Sequence, residues 1–455
     1  MSGTYDKTFV FEKMPVKKAV CRQAVPAIAS QMIVLIYNLA DTYFVGMLND
    51  PNQTAAITVV SSSFVMLTAI SNLFGVGGAS MIARSLGQRK VERARRVSAI
   101  SFWGGLASAA AFSLIFWLLA DPILHLCGAT ESTYAIAFDY AKWVIIAGGP
   151  ATILNTLLAN LVRAEGSAVT ASLGVSLGGV INIVLDPLFV LPRFLGYGAA
   201  GAGMATAISN LIAAGYFLCY IFIKRRAGVV TIHPKNLRYM RSYLFKIISI
   251  GFPSAVQYAL TVVAVAAQAK FVSGYETEAV AGLGIVKKLD QLPLYFSIGV
   301  ANGLLPLLAY NYAAGNQKRR HEAFCFGCLI SFGFSVLCLV CYEIFAPLLA
   351  GFFIEDAATI AYSASFLRIM VVAMPLMSLC YPMIIQFQAM GRVKESLICS
   401  ILRKGVLDIP LLFLMDGIIP IYGCMAVQPI VDAISLVVAL RFYQKISRTG
   451  DAVSE

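Results

Sequence analysis

Twelve long apolar runs, separated by short polar stretches, set the pattern of this chain. They fall near 19–48, 54–82, 95–120, 136–163, 168–191 and 199–223, then near 243–273, 279–312, 322–349, 358–390, 394–415 and 421–444. A helix needs about 20 apolar residues to cross a bilayer, and every run reaches that length. Lipid offers no partner to backbone N–H and C=O groups, so only helices and closed barrels span it. A barrel would alternate in segments of about ten residues, and these runs are far longer. The pattern predicts an all-α integral membrane protein of twelve transmembrane helices. One long polar connection, 224–242, splits them six and six. An N-terminal six-helix bundle is expected over 1–223, a cytoplasmic linker over 224–242 and a C-terminal six-helix bundle over 243–455.

The two sets repeat one another. Ala40-Asp41-Thr42-Tyr43-Phe44-Val45-Gly46 parallels the stretch from Ala267 to Gly274. Pro26 aligns with Pro253, Gly75 with Gly303, Gly87 with Gly315, Pro150 with Pro375 and Gly166 with Gly391, at offsets of 225 to 228. Val184-Leu185-Asp186-Pro187 is echoed by Val406-Leu407-Asp408-Ile409-Pro410 at an offset of 222. Six is an even number, so both sets share one orientation, as parallel transporter repeats do about an axis along the membrane normal.

Composition and charge add an orientation. The 455 residues are 59% hydrophobic and 13% charged, where soluble chains carry about 25% charged residues. The net charge of +12 is concentrated at alternate connections. Arg84, Arg89, Lys90, Arg93, Arg95 and Arg96 form one cluster, and Lys224, Arg225, Arg226, Lys235, Arg238 and Arg241 the next. Lys318, Arg319 and Arg320, then Arg392 and Lys394, then Lys445 and Arg448 complete the series. The connections near 49–53, 121–133, 274–278, 355–358 and 416–420 carry no Lys or Arg, and 191–198 has only Arg193. By the positive-inside rule this places both termini in the cytoplasm, in a multi-pass protein of the plasma membrane. The basic runs lack interleaved aromatics, so no nucleic-acid role is expected. No apolar leader core precedes the first run, which is expected to act as its own insertion signal.

Polar residues inside the runs carry the chemistry. Asp41 lies about eight residues before the connection at Asn49, Asp186 about seven before Arg193, and Thr206 about seven past the start of its helix. At about 1.5 Å per residue all three lie roughly 10 Å below one surface. Tyr37 and Asn38 share the helical face of Asp41, and Asn182 that of Asp186. Carboxylate and carboxamide oxygens at one level suit a proton relay or a hard monovalent cation. Charged groups in spans mark ion and substrate paths. Neutralised by a proton or a cation, such a carboxylate tolerates a dry bundle; empty, it needs water or a positive substrate. Pro187 is expected to open the backbone just beyond Asp186. The alternative is helix–helix hydrogen bonding with no titration. The repeat places Gln268 opposite Asp41, so a single coupling site in the N-terminal half is expected.

The stretch Ala40 to Gly46, Ser80 to Gly87 with its basic loop, Arg163-Ala164-Glu165-Gly166, Asn182 to Pro187 and Gly201 to Thr206 are together similar to the multidrug and toxic compound extrusion (MATE) family. The similarity covers nearly the whole chain and recurs in both halves. It implies a MATE/MOP-like fold of two six-helix bundles around a central cavity. It also implies a secondary antiporter that expels organic cations and drugs against inward proton or sodium flow, by alternating access. Some family members carry acids in helices seven and ten. Here helix seven offers Gln257, and 361–390 has no carboxylate. A sodium site in the second half is therefore not expected.

Asp290 and Asp408 remain as further candidates, each with a local ion pair as its competing reading, to Lys287 and Lys404. Met374 and Met377, with Met383, Tyr381, Gln386 and Phe387 nearby, would make an adaptable substrate lining, or ordinary packing. Sodium, if it is the coupling ion, is expected at Asp41 and Asp186, and no other metal or cofactor is. Cys325, Cys328, Cys338 and Cys341 have zinc-like spacing but extend along one helix, so their sulfurs cannot converge. The alternative function is a flippase for lipid-linked sugar or other polyisoprenoid cargo. Its cavity would carry several cations, and Lys142, Lys270, Lys287, Lys288 and Arg368 are scattered. No Walker motif exists, and twelve spans exceed what an intramembrane aspartate enzyme needs, so no enzyme is expected. The expected partners are the lipid bilayer and small organic cations, and the expected state is a monomer.

Overall fold

The computed structural model describes residues 8–225 and 228–448. Arg226 of the basic clusters lies outside them. The first half comprises α1 (Val16–Gly46), α2 (Pro51–Gly87), α3 (Val91–Leu118), the short α4 (Ala120–Leu126), α5 (Glu131–Ala141), α6 (Gly149–Ala164), α7 (Ala168–Val190) and α8 (Gly198–Ile223). The second comprises α9 (Met240–Val272), α10 (Thr277–Ala313), α11 (Gln317–Gly351), α12 (Ala357–Val371), α13 (Ala373–Met390), α14 (Val393–Ile401), α15 (Asp408–Ile418) and α16 (Tyr422–Arg448). The described residues contain no strand.

Among the described residues nine helices are long and apolar enough to cross a membrane on their own, and two bent pairs raise the number to eleven. The pairs are α5–α6, bent by 47°, and α12–α13, bent by 44°. Both bends have one cause. Pro150 and Pro375, matched in the repeat, each sit in the first turn after the bend. A proline there has no N–H for the preceding turn and crowds its carbonyl.

The eleventh expected crossing, 394–415, is not one helix. α14 and α15 flank a π-helical turn at Leu402–Val406, in which Lys404 (φ −141°, ψ 63°) and Gly405 (φ 173°, ψ −84°) leave the helical region. The opening expected at Pro187 is not where the structure puts it. α7 runs through Pro187 to Val190, and the break falls in its repeat partner, just before Asp408.

Three buried cores organise these helices. One unites both halves, joining Val20, Phe74 and Leu158 of the first with Ile247, Leu304 and Phe387 of the second. A second core, around Val45, Val60, Ile153 and Ala202, belongs to the first half alone. A third, around Val272, Val286, Phe366 and Val431, belongs to the second alone. The halves are thus fused toward the ends of α2 and α10 that lead into basic loops, and hold separate cores toward their other ends.

Across the fused region α2 packs on α9 and α1 on α10. A Cβ on Gly251 would overlap the Leu73 carbonyl oxygen, and one on Gly303 would overlap the Ala24 backbone. The missing side chains let the backbones touch, as small residues do in membranes. Linker residues 228–239 are tied to the first half. Buried Glu165 accepts from the Val229 N–H at 2.9 Å and from the Tyr220 hydroxyl at 2.8 Å, while the Trp103 indole donates to the Ile232 carbonyl at 2.9 Å.

Candidate functional site

α1 lies between α7 on one side and α10 on the other, and this position sorts its polar residues. Tyr37 packs beside Gly179 of α7, where no Cβ keeps it away. Asn38, one position on, turns instead toward the second half, and its amide donates to the Tyr295 hydroxyl at 3.2 Å. Asn38 was expected beside Asp41 in the ion cluster; a step of about 100° per residue carries it to the α10 side.

Asp41 and Asp186 lie within electrostatic reach of each other and of Tyr37 and Tyr140. Asp186 is 0% exposed, Asn182 2% and Thr206 5%. The Asn182 amide lies 3.3 Å from both Asp186 Oδ1 and Thr206 Oγ1. Three buried acceptors then have no hydrogen-bond partner among the described residues: Asp41 Oδ1, Asp186 Oδ2 and Asn182 Oδ1. Leaving a buried polar group unmatched costs about 1–3 kcal/mol, more if charged. A cluster short only of positive charge and donors has the chemistry of a cation or proton site. The residues present fit that occupant.

Sequence reasoning missed four neighbours. Tyr140 of α5 is buried within reach of both acids. Asn155 donates to Asn210 Oδ1 at 2.9 Å, and Asn210 to the Thr206 carbonyl at 2.9 Å, extending the polar layer inward. Tyr295 anchors Asn38. The signal was present in each case, as a polar side chain at mid-span, but its helical face required the packing.

The second half holds a different cluster. Arg403 Nε donates to Asp432 Oδ1 at 3.0 Å, with both side chains at or below 1% exposure. Gln428 donates to Asp432 Oδ2 at 2.9 Å and accepts from Lys404 Nζ at 2.7 Å. The Arg403 guanidinium lies 4.3 Å from the Tyr381 ring centre. Neither Arg403 nor Asp432 was singled out, although a carboxylate inside the last run was visible. The local pairs expected for Asp290 with Lys287 and Asp408 with Lys404 are absent from the ion pairs of the described residues. Lys404 is drawn to Gln428 because the helix unwinds at its own position.

The remaining candidates sit apart. Met374 belongs to the second half's core and Met377 is buried, so both pack rather than line a cavity. Gln257 is buried on α9, where its carbonyl accepts from Thr261. Gln268, the counterpart of Asp41, donates to the Cys424 carbonyl at 3.0 Å. Cys325, Cys328, Cys338 and Cys341 are free thiols along α11.

Known proteins match throughout. Residues 26–188 and 253–414 each match the MatE family. The multidrug export protein MepA of Staphylococcus saprophyticus is 29% identical over 435 residues, covering 96% of this chain and 95% of that protein. MepA of a Staphylococcus aureus strain is 29% identical over 419 residues, covering 92% and 91%. A solved outward-facing multidrug resistance MATE family transporter of the MOP superfamily superposes with a TM-score of 0.90 at 25% identity, over 98% of each chain. With two family repeats on a helical, multi-pass membrane fold, this chain belongs to the MATE (MatE) family of transporters.

Proposed function

We propose that this chain exports organic cations and drugs across the plasma membrane in exchange for protons or sodium ions moving inward. The observation that carries the reading is the set of unmatched oxygens of Asp41, Asp186 and Asn182. Empty, the two carboxylates demand positive charge, which a cationic substrate or an entering ion can supply. Filled, the cluster is neutral and the packing of α1 on α7 tightens. Because α1 also reaches Tyr295 through Asn38, a change at Asp41 is transmitted to the contact between halves. Separate cores at one end and a shared core at the other support a cavity that opens alternately to the two sides. In this reading the halves 1–223 and 243–455 are the moving bodies, 224–242 is their cytoplasmic linker, and both termini are cytoplasmic. The protein works as a monomer without a cofactor, and its chemistry is transport rather than catalysis.

The test uses purified protein in liposomes carrying a proton or a sodium gradient, with efflux of a fluorescent lipophilic cation as the readout. Efflux driven by one gradient identifies the ion. Scrambling of headgroup-labelled lipid with no cation efflux would replace this reading with a flippase.

A further inference from the structure

Residues 8–12 form a helical turn ahead of α1, and this turn is anchored on the opposite half of the protein. The Arg319 guanidinium, at the start of α11, caps its end. Nε donates to the Phe11 carbonyl at 2.7 Å, and Nη2 donates to the carbonyls of Val10, at 3.3 Å, and Met14. The last carbonyls of a helix lack internal partners and carry partial negative charge, so a cation is favoured there. The Asn311 amide, at the end of α10, is a second donor to the Phe11 carbonyl, at 3.2 Å. Phe11 is fully buried, with its ring centre 5.3 Å from that of Tyr310. Val10, Phe11 and Met14 all belong to the core that the halves share.

Glu12 completes the bridge. Its Oε2 accepts from the Tyr310 hydroxyl of the second half at 3.3 Å, and its Oε1 pairs with Arg89 at 3.3 Å. Arg89 lies in the loop between α2 and α3 of the first half. One carboxylate thus touches both halves, on the side where they are fused. The segment joins α1 through Pro15, whose φ of −50° and ψ of 135° are extended. It crosses the seam as a separate piece of chain and does not continue α1.

We propose that residues 8–14 are a strap across the basic-loop side of the protein: docked, they hold the two halves together there, and they must release before that side opens. The strap rests on the reading of the halves as moving bodies. Separating them pulls Arg89 from Glu12 and draws α1, through Pro15, away from the Arg319 anchor. The two attachments are unequal. Arg89 and Glu12 are both exposed, so their pair is weak. The charge-assisted bonds of Arg319, made beside a buried ring, are the stronger hold.

The experiment uses full-length protein in lipid nanodiscs with no gradient. Pulsed electron spin resonance reads the distance between nitroxides on Lys224→Cys of the first half and Lys394→Cys of the second, both exposed positions. The exposed Cys219 and Cys325 are replaced by serine in this reference protein. In Arg319→Gln the ratio of open to closed distances is expected to rise about tenfold, the effect of losing a charge-assisted contact. In Glu12→Gln it is expected to rise about twofold, as a surface ion pair allows. Amide exchange over residues 8–14 should quicken in Arg319→Gln. Thermal melting identifies folded variants, and Glu12→Gln carries the test if Arg319→Gln does not fold. A reference that opens beside folded variants that open no further refutes the strap alone. One closed distance in the reference and in both variants refutes the strap and the moving halves together.

Discussion

Asn38 in the first half donates a 3.2 Å hydrogen bond to the Tyr295 hydroxyl in the second. It leaves α1 three residues before Asp41, so one helix carries both the ion-facing acid and a contact that crosses between halves. Removing that bond while keeping the aromatic ring, in Tyr295→Phe, is expected to slow cation efflux while leaving equilibrium ion binding in place. Asn38→Ala should do the same, and the double variant should be no worse than either single one. Efflux kinetics beside ion binding in detergent check this. Additive losses would mean that the two residues do not act together.

The Arg403–Asp432 pair is fully buried. Removing one partner strands a charge, which costs about 3–5 kcal/mol, whereas replacing both with apolar residues of similar size can be neutral. Arg403→Met and Asp432→Leu alone should therefore each lower the melting temperature in detergent strongly. The combination should recover much of the loss, as read by thermal unfolding of the three proteins side by side.

The backbone contact at Gly251 makes a steric prediction. Gly251→Ala pushes a methyl into the Leu73 carbonyl and is expected to cost about 1–3 kcal/mol, the usual price of overpacking. Gly284 has nothing within 4 Å of its Cβ position, so Gly284→Ala serves as the matched control and should melt like wild type. Equal melting of the two variants would deny that α2 and α9 meet through glycine.

The linker supplies a fourth test. Glu165 gathers the Val229 N–H and the Tyr220 hydroxyl in a buried position. Glu165→Gln keeps the size but places an amide against backbone donors. It should loosen residues 228–232, seen as faster amide exchange there, with little change on α11 or α12.

Most of the helices were legible because lipid imposes a simple rule of length and apolarity. α7 was expected over 168–191 and is found at Ala168–Val190, and α8 was expected over 199–223 and is found at Gly198–Ile223. Hydropathy could not reveal the bends, since Pro150 and Pro375 act on geometry without changing apolarity. Nor could it reveal the break at Lys404 and Gly405, because only tertiary packing decides whether a charged pair inside an apolar run stays helical. The depth of Asp41, Asp186 and Thr206 followed from counting along each helix. The direction of Asn38, and the arrival of Tyr140 from α5, depended on which helices became neighbours. Arg403 and Asp432 stayed hidden for the same reason: they are 29 residues apart and meet only in the fold.

The most direct measurement is efflux of a fluorescent lipophilic cation from liposomes under an imposed ion gradient, comparing wild type with Asp41→Asn and Asp186→Asn. The account predicts that both folded variants fall to the rate of protein-free liposomes while still binding the cation in detergent. Gradient-driven efflux at the wild-type rate in either variant would contradict the role given to the paired acids.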